Sequence, residues 1–196
     1  MKKVVKSPRV TLGDRSLELP TSKDSEGHFL PILIKVDDQM NAMLSHHCKI
    51  LVYRLDLHPY ESDTTNKEVS AFVRQYRQRL KRSLGINRLA YLWCREQNKS
   101  DKQHYHVAFM VDANKHQHPN LLIEMAKLYW EERDIGTLFI PKNCYQLVKR
   151  GDSKTYQSVF NRLSYLAKVF SKGKKAANTN DFEGSRIKPK TDTLIA

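Results

Sequence analysis

Apolar and polar positions alternate most sharply between Gln103 and Asp112. There His104, His106, Ala108 and Met110 fall on one face of an extended strand, and Tyr105, Val107, Phe109 and Val111 on the other. Leu89 to Gln97 reads as a strand before it, and the polar segment from Asn98 to Lys102 as the hairpin loop between the two. Lys49 to His58 is a further strand, with Ile50, Val52, Arg54, Asp56 and His58 on one side and Leu51, Tyr53, Leu55 and Leu57 on the other. Short strands are expected over 137–140 and 145–149, separated by Pro141-Lys-Asn-Cys144.

The helical period is clearest from Thr65 to Gly85. Val69, Phe72, Val73, Tyr76, Leu80 and Leu84 form its core stripe, Thr65 with Glu68 fits a capping box, and Gly85 fits the stop. Pro119 to Arg133 is a second helix, with Pro119 near its first turn. A third follows Gly151-Asp152, with Ser153 as its cap and Val159, Phe160, Leu163, Leu166, Ala167 and Phe170 as a wide apolar stripe. Phe29 to Val36 is an apolar run that precedes a short helix over Asp37 to Ser45. Residues 1–26 show little period of either kind and read as an arm, 27–172 as the folded domain, and 173–196 as a basic tail. The expected class is α+β: an antiparallel sheet of about five strands, with helices packed mainly on one side and any site on the other.

A chain of 196 residues suffices for one domain with a real core. Its net charge of +13 calls for a polyanionic partner, and nucleic acid leads over a membrane surface because the basic residues are scattered. Charge alone does not separate DNA from RNA. No apolar run is long enough to cross a bilayer, and the N-terminus lacks the apolar stretch of a signal peptide, so an intracellular protein is expected. Cys48, Cys94 and Cys144 are odd in number and widely spaced, which favours reduced thiols. Cys94 shares a strand face with Glu96 and remains an alternative soft-metal ligand.

His104 and His106 stand about 7 Å apart along one strand, the beginning of a metal site. In an antiparallel hairpin with a symmetric loop, Glu96 falls opposite His104 and next to His106. A His-x-His pair on a strand is also common as plain surface or core histidine. Far along the chain, Tyr165 and Lys168 share a helical face at i and i+3, where a core tyrosine is the competing interpretation. His116 and His118 repeat the spacing in a polar loop before Pro119, without preorganised geometry, and are assigned no role.

Together, His104-Tyr105-His106-Val107, Ser164-Tyr165-Leu166-Ala167-Lys168 and Asp181-Phe-Glu-Gly-Ser-Arg186 resemble the HUH endonucleases. Among these the chain is most similar to the single-tyrosine replication initiators of filamentous phages and prophage elements, the inovirus or YagK/YfjJ-like group, over roughly Lys49 to Lys188. The resemblance implies an HUH/Rep-like sheet and its strand order. It also implies a divalent ion, Mg²⁺ or Mn²⁺, held by Glu96, His104 and His106, although imidazole ligands by their softness also suit Zn²⁺ or Ni²⁺. Tyr165 would be the nucleophile, assisted by Lys168. The strand face carrying Arg54, Asp56 and His58 would help hold DNA, unless it is merely a solvated strand end; Lys172 and Arg186 would reach phosphates.

The activity implied is site-specific nicking and joining of single-stranded or supercoiled origin DNA through a 5′-phosphotyrosyl link. It would start rolling-circle replication in the host bacterial cytoplasm. The chain carries no nucleoside-triphosphate-binding Gly-x-x-x-x-Gly-Lys-Ser/Thr sequence, so a host helicase and polymerase are expected partners. Tyr156 is taken as structural, and the oligomeric state is left open. A non-catalytic origin binder or repressor with the same fold explains the charge equally well, and an RNA-binding protein less well, because core packing accounts for Tyr105 and Phe109.

Overall fold

The computed structural model describes residues 3–21, 26–61, 65–97, 102–169 and 179–191. Lys172, expected on DNA, and residues 98–101 of the expected hairpin loop lie outside them. Four short strands open the chain, β1 (Val4–Val5), β2 (Arg9–Leu12), β3 (Arg15–Glu18) and β4 (His28–Phe29). They are followed by α1 (Leu30–His46), β5 (Lys49–Pro59), α2 (Lys67–Leu84), β6 (Ala90–Glu96) and β7 (His104–Asp112). Then come α3 (Asn120–Glu131), β8 (Gly136–Phe139), β9 (Tyr145–Lys149), α4 (Ser153–Ser164), a 3₁₀ turn (Tyr165–Ala167) and β10 (Phe182–Gly184).

The two strands of the expected hairpin, β6 and β7, pair antiparallel with Glu96 opposite His104 and Cys94 opposite His106. The long strand β5 lies on the other edge of β7, with Asp56 opposite His106. Its far edge is shared end to end: β9 pairs with Lys49–Tyr53, and β8 with Asp56–Pro59. Between them Pro141-Lys-Asn-Cys144 loops out, and the Arg54 N–H donates to the Cys144 carbonyl at 2.8 Å. β10 pairs with β6 and closes a six-stranded sheet whose pairs are all antiparallel.

Strand alternation splits the core in two. Leu51, Tyr53, Leu55, Leu57, Trp93, Val107 and Phe109 face α2 and α3. Here Phe72, Tyr76 and Phe109 pack ring on ring, and the Tyr53 and Tyr76 hydroxyls meet at 2.9 Å. Each fully buried side chain of this kind contributes roughly 1.5–3 kcal/mol. Ile50, Val52, Ala90, Leu92, Cys94, Ala108 and Met110 face the other way, under α1, α4 and the β2–β3 hairpin. Helices therefore cover both faces, a correction to the expectation of one covered side. The site lies beyond the end of the α1/α4 cover, where the same face turns polar at Arg54, Asp56, Glu96, His104 and His106.

Other boundaries shift as well. The stretch taken as an arm contains a hairpin turned at Gly13 (φ 57°), and Val10, Leu12, Leu17 and Leu19 are buried in the core. Gln157 on α4 grips Glu18 through both its backbone N–H and carbonyl at 3.0 Å. The apolar run over 29–36 belongs to one 17-residue helix, because Pro31 sits in the first turn, where its missing N–H costs nothing. α2 starts at Lys67 rather than Thr65, without the capping box, but ends as expected at Gly85 (φ 63°). The cap of α4 is Asp152, whose carboxylate accepts from the Thr155 N–H, rather than Ser153. The supposed tail contributes β10, and Asp181 and Ser185 are buried beside it.

Candidate metal centre and nucleophile

Two neighbouring cross-strand rows on one face of the sheet build the site. The first runs from Glu96 to His104, and the second from Cys94 through His106 and Asp56 to Phe139. His58 extends the first row: its ring stacks on His104 with centroids 5.4 Å apart and planes 6° from parallel. One ligand atom from each of Glu96, His104 and His106 lies within 4.8 Å of the others. A single carboxylate oxygen, Glu96 Oε2, approaches His104 Nε2 at 3.6 Å and His106 Nε2 at 3.1 Å. Cys94 is not in this group; it is fully buried in the apolar core.

Behind His106, Asp56 Oδ1 lies 2.8 Å from Nδ1, and Asp56 is in turn clamped by Arg54 Nε at 2.8 Å and Nη2 at 3.1 Å. Arg54 Nη2 is also 2.8 Å from His106 Nδ1. A guanidinium can only donate and an ionised carboxylate only accept, so Arg54 and Asp56 favour opposite states of Nδ1, and a proton on Nδ1 goes to Asp56, whose hydrogen bond is among those that raise the His106 pKa. With Nδ1 protonated, the neutral ring aims its Nε2 lone pair at a carboxylate oxygen, an arrangement that calls for a positive species between them. A proton meets that need: burial opposes charging His106, but the hydrogen bonds to Asp56 and Glu96 outweigh it and raise its pKa. A divalent ion meets it equally well, and the donor set of two imidazoles and a carboxylate, with a carboxylate behind one imidazole, suits such an ion.

Asp56, expected among the DNA-contacting residues, is buried with its carboxylate turned inward. Burial raises its pKa, but hydrogen bonds from His106 and Arg54 prevail and lower it. An anionic group so placed orients His106 and is no partner for a phosphate. His58 lies on the solvent side, its pKa lowered by burial and then by the neighbouring His104. Arg186 is exposed and close enough for its charge to act on Tyr91, five residues along β6 from Glu96. That is about 17 Å by the strand rise, so the structure does not bring Arg186 to the centre.

Tyr165 reaches the site from the other side. The α4 stripe of Tyr156, Val159, Phe160 and Leu163 pins the helix to the core, and the buried Leu166 and Ala167 anchor the 3₁₀ turn after it. Tyr165 is left 41% exposed, with its ring edge-on to His106 at 5.9 Å between centroids. Arg54 Cζ lies 5.1 Å and Lys168 Nζ 4.2 Å from that ring's centroid. The i, i+3 relation of Tyr165 and Lys168 thus survives in a tighter turn than an α-helix, where such positions eclipse. Tyr156 is buried, its hydroxyl donating to Asp37 Oδ1 at 2.6 Å.

The contact of Asp56 with His106 was not visible in the sequence, because His106 sits on a strand fifty residues away. Sequence reasoning also passed over Lys142 and Arg162, which line a recess beside Arg54. Their only sequence signal is membership of a uniformly basic chain.

The family described as YagK/YfjJ C-terminal domain matches residues 14–183. The protein named YfjJ from Escherichia coli strain K12 is 25% identical, over 70% of this chain and 83% of its own length. YagK from the same strain is 22% identical, over 74% of this chain and 88% of its own length. Both carry the description uncharacterized protein. No solved structure matches the chain.

Proposed function

We propose that this chain, which belongs to the YagK/YfjJ C-terminal domain family, is a metal-dependent DNA-nicking and joining enzyme of the HUH type that uses Tyr165 as its nucleophile. One observation carries this reading: Glu96, His104 and His106 converge within 4.8 Å, and the Tyr165 ring lies against His106. A core tyrosine has no reason to be 41% exposed among two cations and a ligand-like histidine.

The reaction is a transesterification. Tyr165 Oη attacks a phosphodiester phosphorus, the bond from phosphorus to the 3′ oxygen breaks, and the phenol's proton is balanced by one taken up at that oxygen. The products are a 5′-phosphotyrosyl link and a free 3′ hydroxyl, so one phosphodiester replaces another and the step runs backward without ATP. A phenol ionises near pH 10 and needs help at neutral pH. Lys168 and Arg54, both against the ring, favour the phenolate and the phosphate charge that follows it. Asp56 and Arg54 hold His106 in one orientation, and His58 supports the His104 ring by stacking. A divalent ion, Mg²⁺ or Mn²⁺, held by Glu96, His104 and His106, supplies polarisation of the scissile phosphate and stabilises charge on its oxygens.

Such an enzyme nicks an origin in single-stranded or supercoiled DNA, leaves the 3′ end to a host polymerase and helicase in the bacterial cytoplasm, and rejoins the strand afterwards. The test is incubation with origin DNA and Mn²⁺, followed by denaturing electrophoresis. A protein–DNA adduct is expected that disappears in Tyr165→Phe and in His106→Ala, with His106→Ala also losing Mn²⁺ affinity. Tight binding without an adduct under any divalent ion overturns the enzyme and leaves a non-catalytic DNA binder.

A further inference from the structure

Next to the centre, the sheet displays an aromatic side chain that packing does not explain. Phe139 is 57% exposed, the most exposed large apolar side chain among the described residues. On β8 the burial alternates, with Gly136 and Leu138 inside and Thr137 and Phe139 outside. Leu138 lies opposite Leu57 and faces the α2/α3 core, so its neighbour Phe139, opposite Asp56, lies on the face that carries the metal centre. Cross-strand neighbours have Cβ atoms about 5 Å apart, which sets Phe139 about 5 Å from Asp56 and, one strand further, about 10 Å from His106.

The chain just past Phe139 supplies charge. Pro141, Lys142 and Cys144 wall a recess with Arg54 from β5 and Arg162 from α4, and no acidic residue lines it. Arg54 is engaged by Asp56, whereas Lys142 and Arg162 make no ion pair among the described residues. Arg162 is three residues before Tyr165 in the same segment. An exposed ring and two cations without an ion pair among the described residues therefore lie beside Arg54, which contacts the Tyr165 ring. A ligand with flat apolar faces joined by anionic links matches this pattern, and single-stranded nucleic acid has that chemistry. A folded protein partner would have to present carboxylates and an apolar patch in the same alternation.

We propose that Phe139, with Lys142 and Arg162, forms a single-strand subsite in which the phenyl ring stacks on a base and the two cations hold phosphates, a nucleotide or two from the phosphate that Tyr165 attacks. The inference rests on the nuclease reading for the position of that phosphate. Stacking is sequence-tolerant because every base has a π face, so this subsite grips the strand and leaves origin choice to other contacts. The strand runs over the β8 edge of the sheet and not along β10, where Arg186 lies.

The experiment measures binding of a fluorescein-labelled oligothymidylate of about a dozen nucleotides by anisotropy, in the presence of Mn²⁺, with the Tyr165→Phe protein so that no strand is cut. Phe139→Ala, at a half-exposed position, is expected to fold normally and to weaken binding by about ten-fold; Phe139→Trp restores it. Moving one abasic nucleotide along the oligonucleotide is expected to weaken the parent protein at one or two positions, at which Phe139→Ala shows no further loss. Lys142→Ala with Arg162→Ala flattens the slope of log affinity against log salt by about 1.4. Binding by Phe139→Ala within two-fold of its parent, or no binding of the oligonucleotide by the parent, overturns the subsite. Adduct formation by wild-type protein is scored separately on origin DNA. An adduct with no Phe139 effect removes the subsite and keeps the enzyme, and a Phe139 effect with no adduct does the reverse.

Discussion

Asp56 and His106 face each other across β5 and β7, with Oδ1 of the carboxylate 2.8 Å from Nδ1 of the ring. The contact favours a proton on Nδ1 of His106, which leaves Nε2 facing Glu96. Asp56→Asn keeps the shape and removes the charge. Loss of a carboxylate behind a metal-bound histidine lowers affinity by about 10–100-fold, and that drop is expected for Mn²⁺ by calorimetry at pH 8, with the circular dichroism spectrum unchanged.

The same contact gives the metal-free protein a pH signature. His106 has a pKa raised above 6.5 in the fold, so its contribution is full below pH 6.5 and is lost as pH rises through the folded value. Asp56 has a pKa lowered below 3.8, so its contribution is present above pH 3.8 and is lost as pH falls through the folded value. After chelator treatment, the Tm component that Asp56→Asn removes is expected to be largest between these limits and to shrink above pH 6.5. Added Mn²⁺ is expected to take the proton's place and to reverse the alkaline loss. A chelator-treated protein whose Tm rises steadily from pH 6.5 to 8.5 contradicts the assignment.

Lys168 lies 4.2 Å from the Tyr165 ring centroid and touches no ligand of the candidate centre among the described contacts. Lys168→Ala is expected to slow adduct formation by roughly 10²-fold, the usual scale for removing one electrostatic partner of a transition state, without altering Mn²⁺ affinity. Single-turnover gels and calorimetry on the same preparation check the two halves.

Gly136 begins β8 directly against β5, and a Cβ there runs into the His58 carbonyl oxygen and the Pro59 Cα. Both obstacles are backbone and cannot rotate away. Gly136→Ala is expected to cost about 1–3 kcal/mol in denaturant unfolding, as overpacking does, and to pull β8 from its register with Asp56 and His58. Weaker binding of single-stranded DNA in this variant, with Mn²⁺ affinity retained, marks the β8 edge as the part displaced.

A strand's period of two and the symmetry of a short hairpin loop are local properties, and they were enough to set His104 and His106 on one face with Glu96 across from them. The helix stripes were legible for the same reason, as was the stop at Gly85, where φ is positive and a side chain is disfavoured. Which side of the sheet each helix covers was not legible, since an apolar stripe states that it must be buried but not against what. The opening hairpin was missed because its four-residue strands are too short to show a period, and it is held by Gln157 from the far end of the chain. Only tertiary structure turned Asp56 toward His106, left Phe139 uncovered and carried Tyr165 to the centre. Each depends on a register or docking between segments tens of residues apart, and there the energy comes from the shared core rather than from any local preference of the chain.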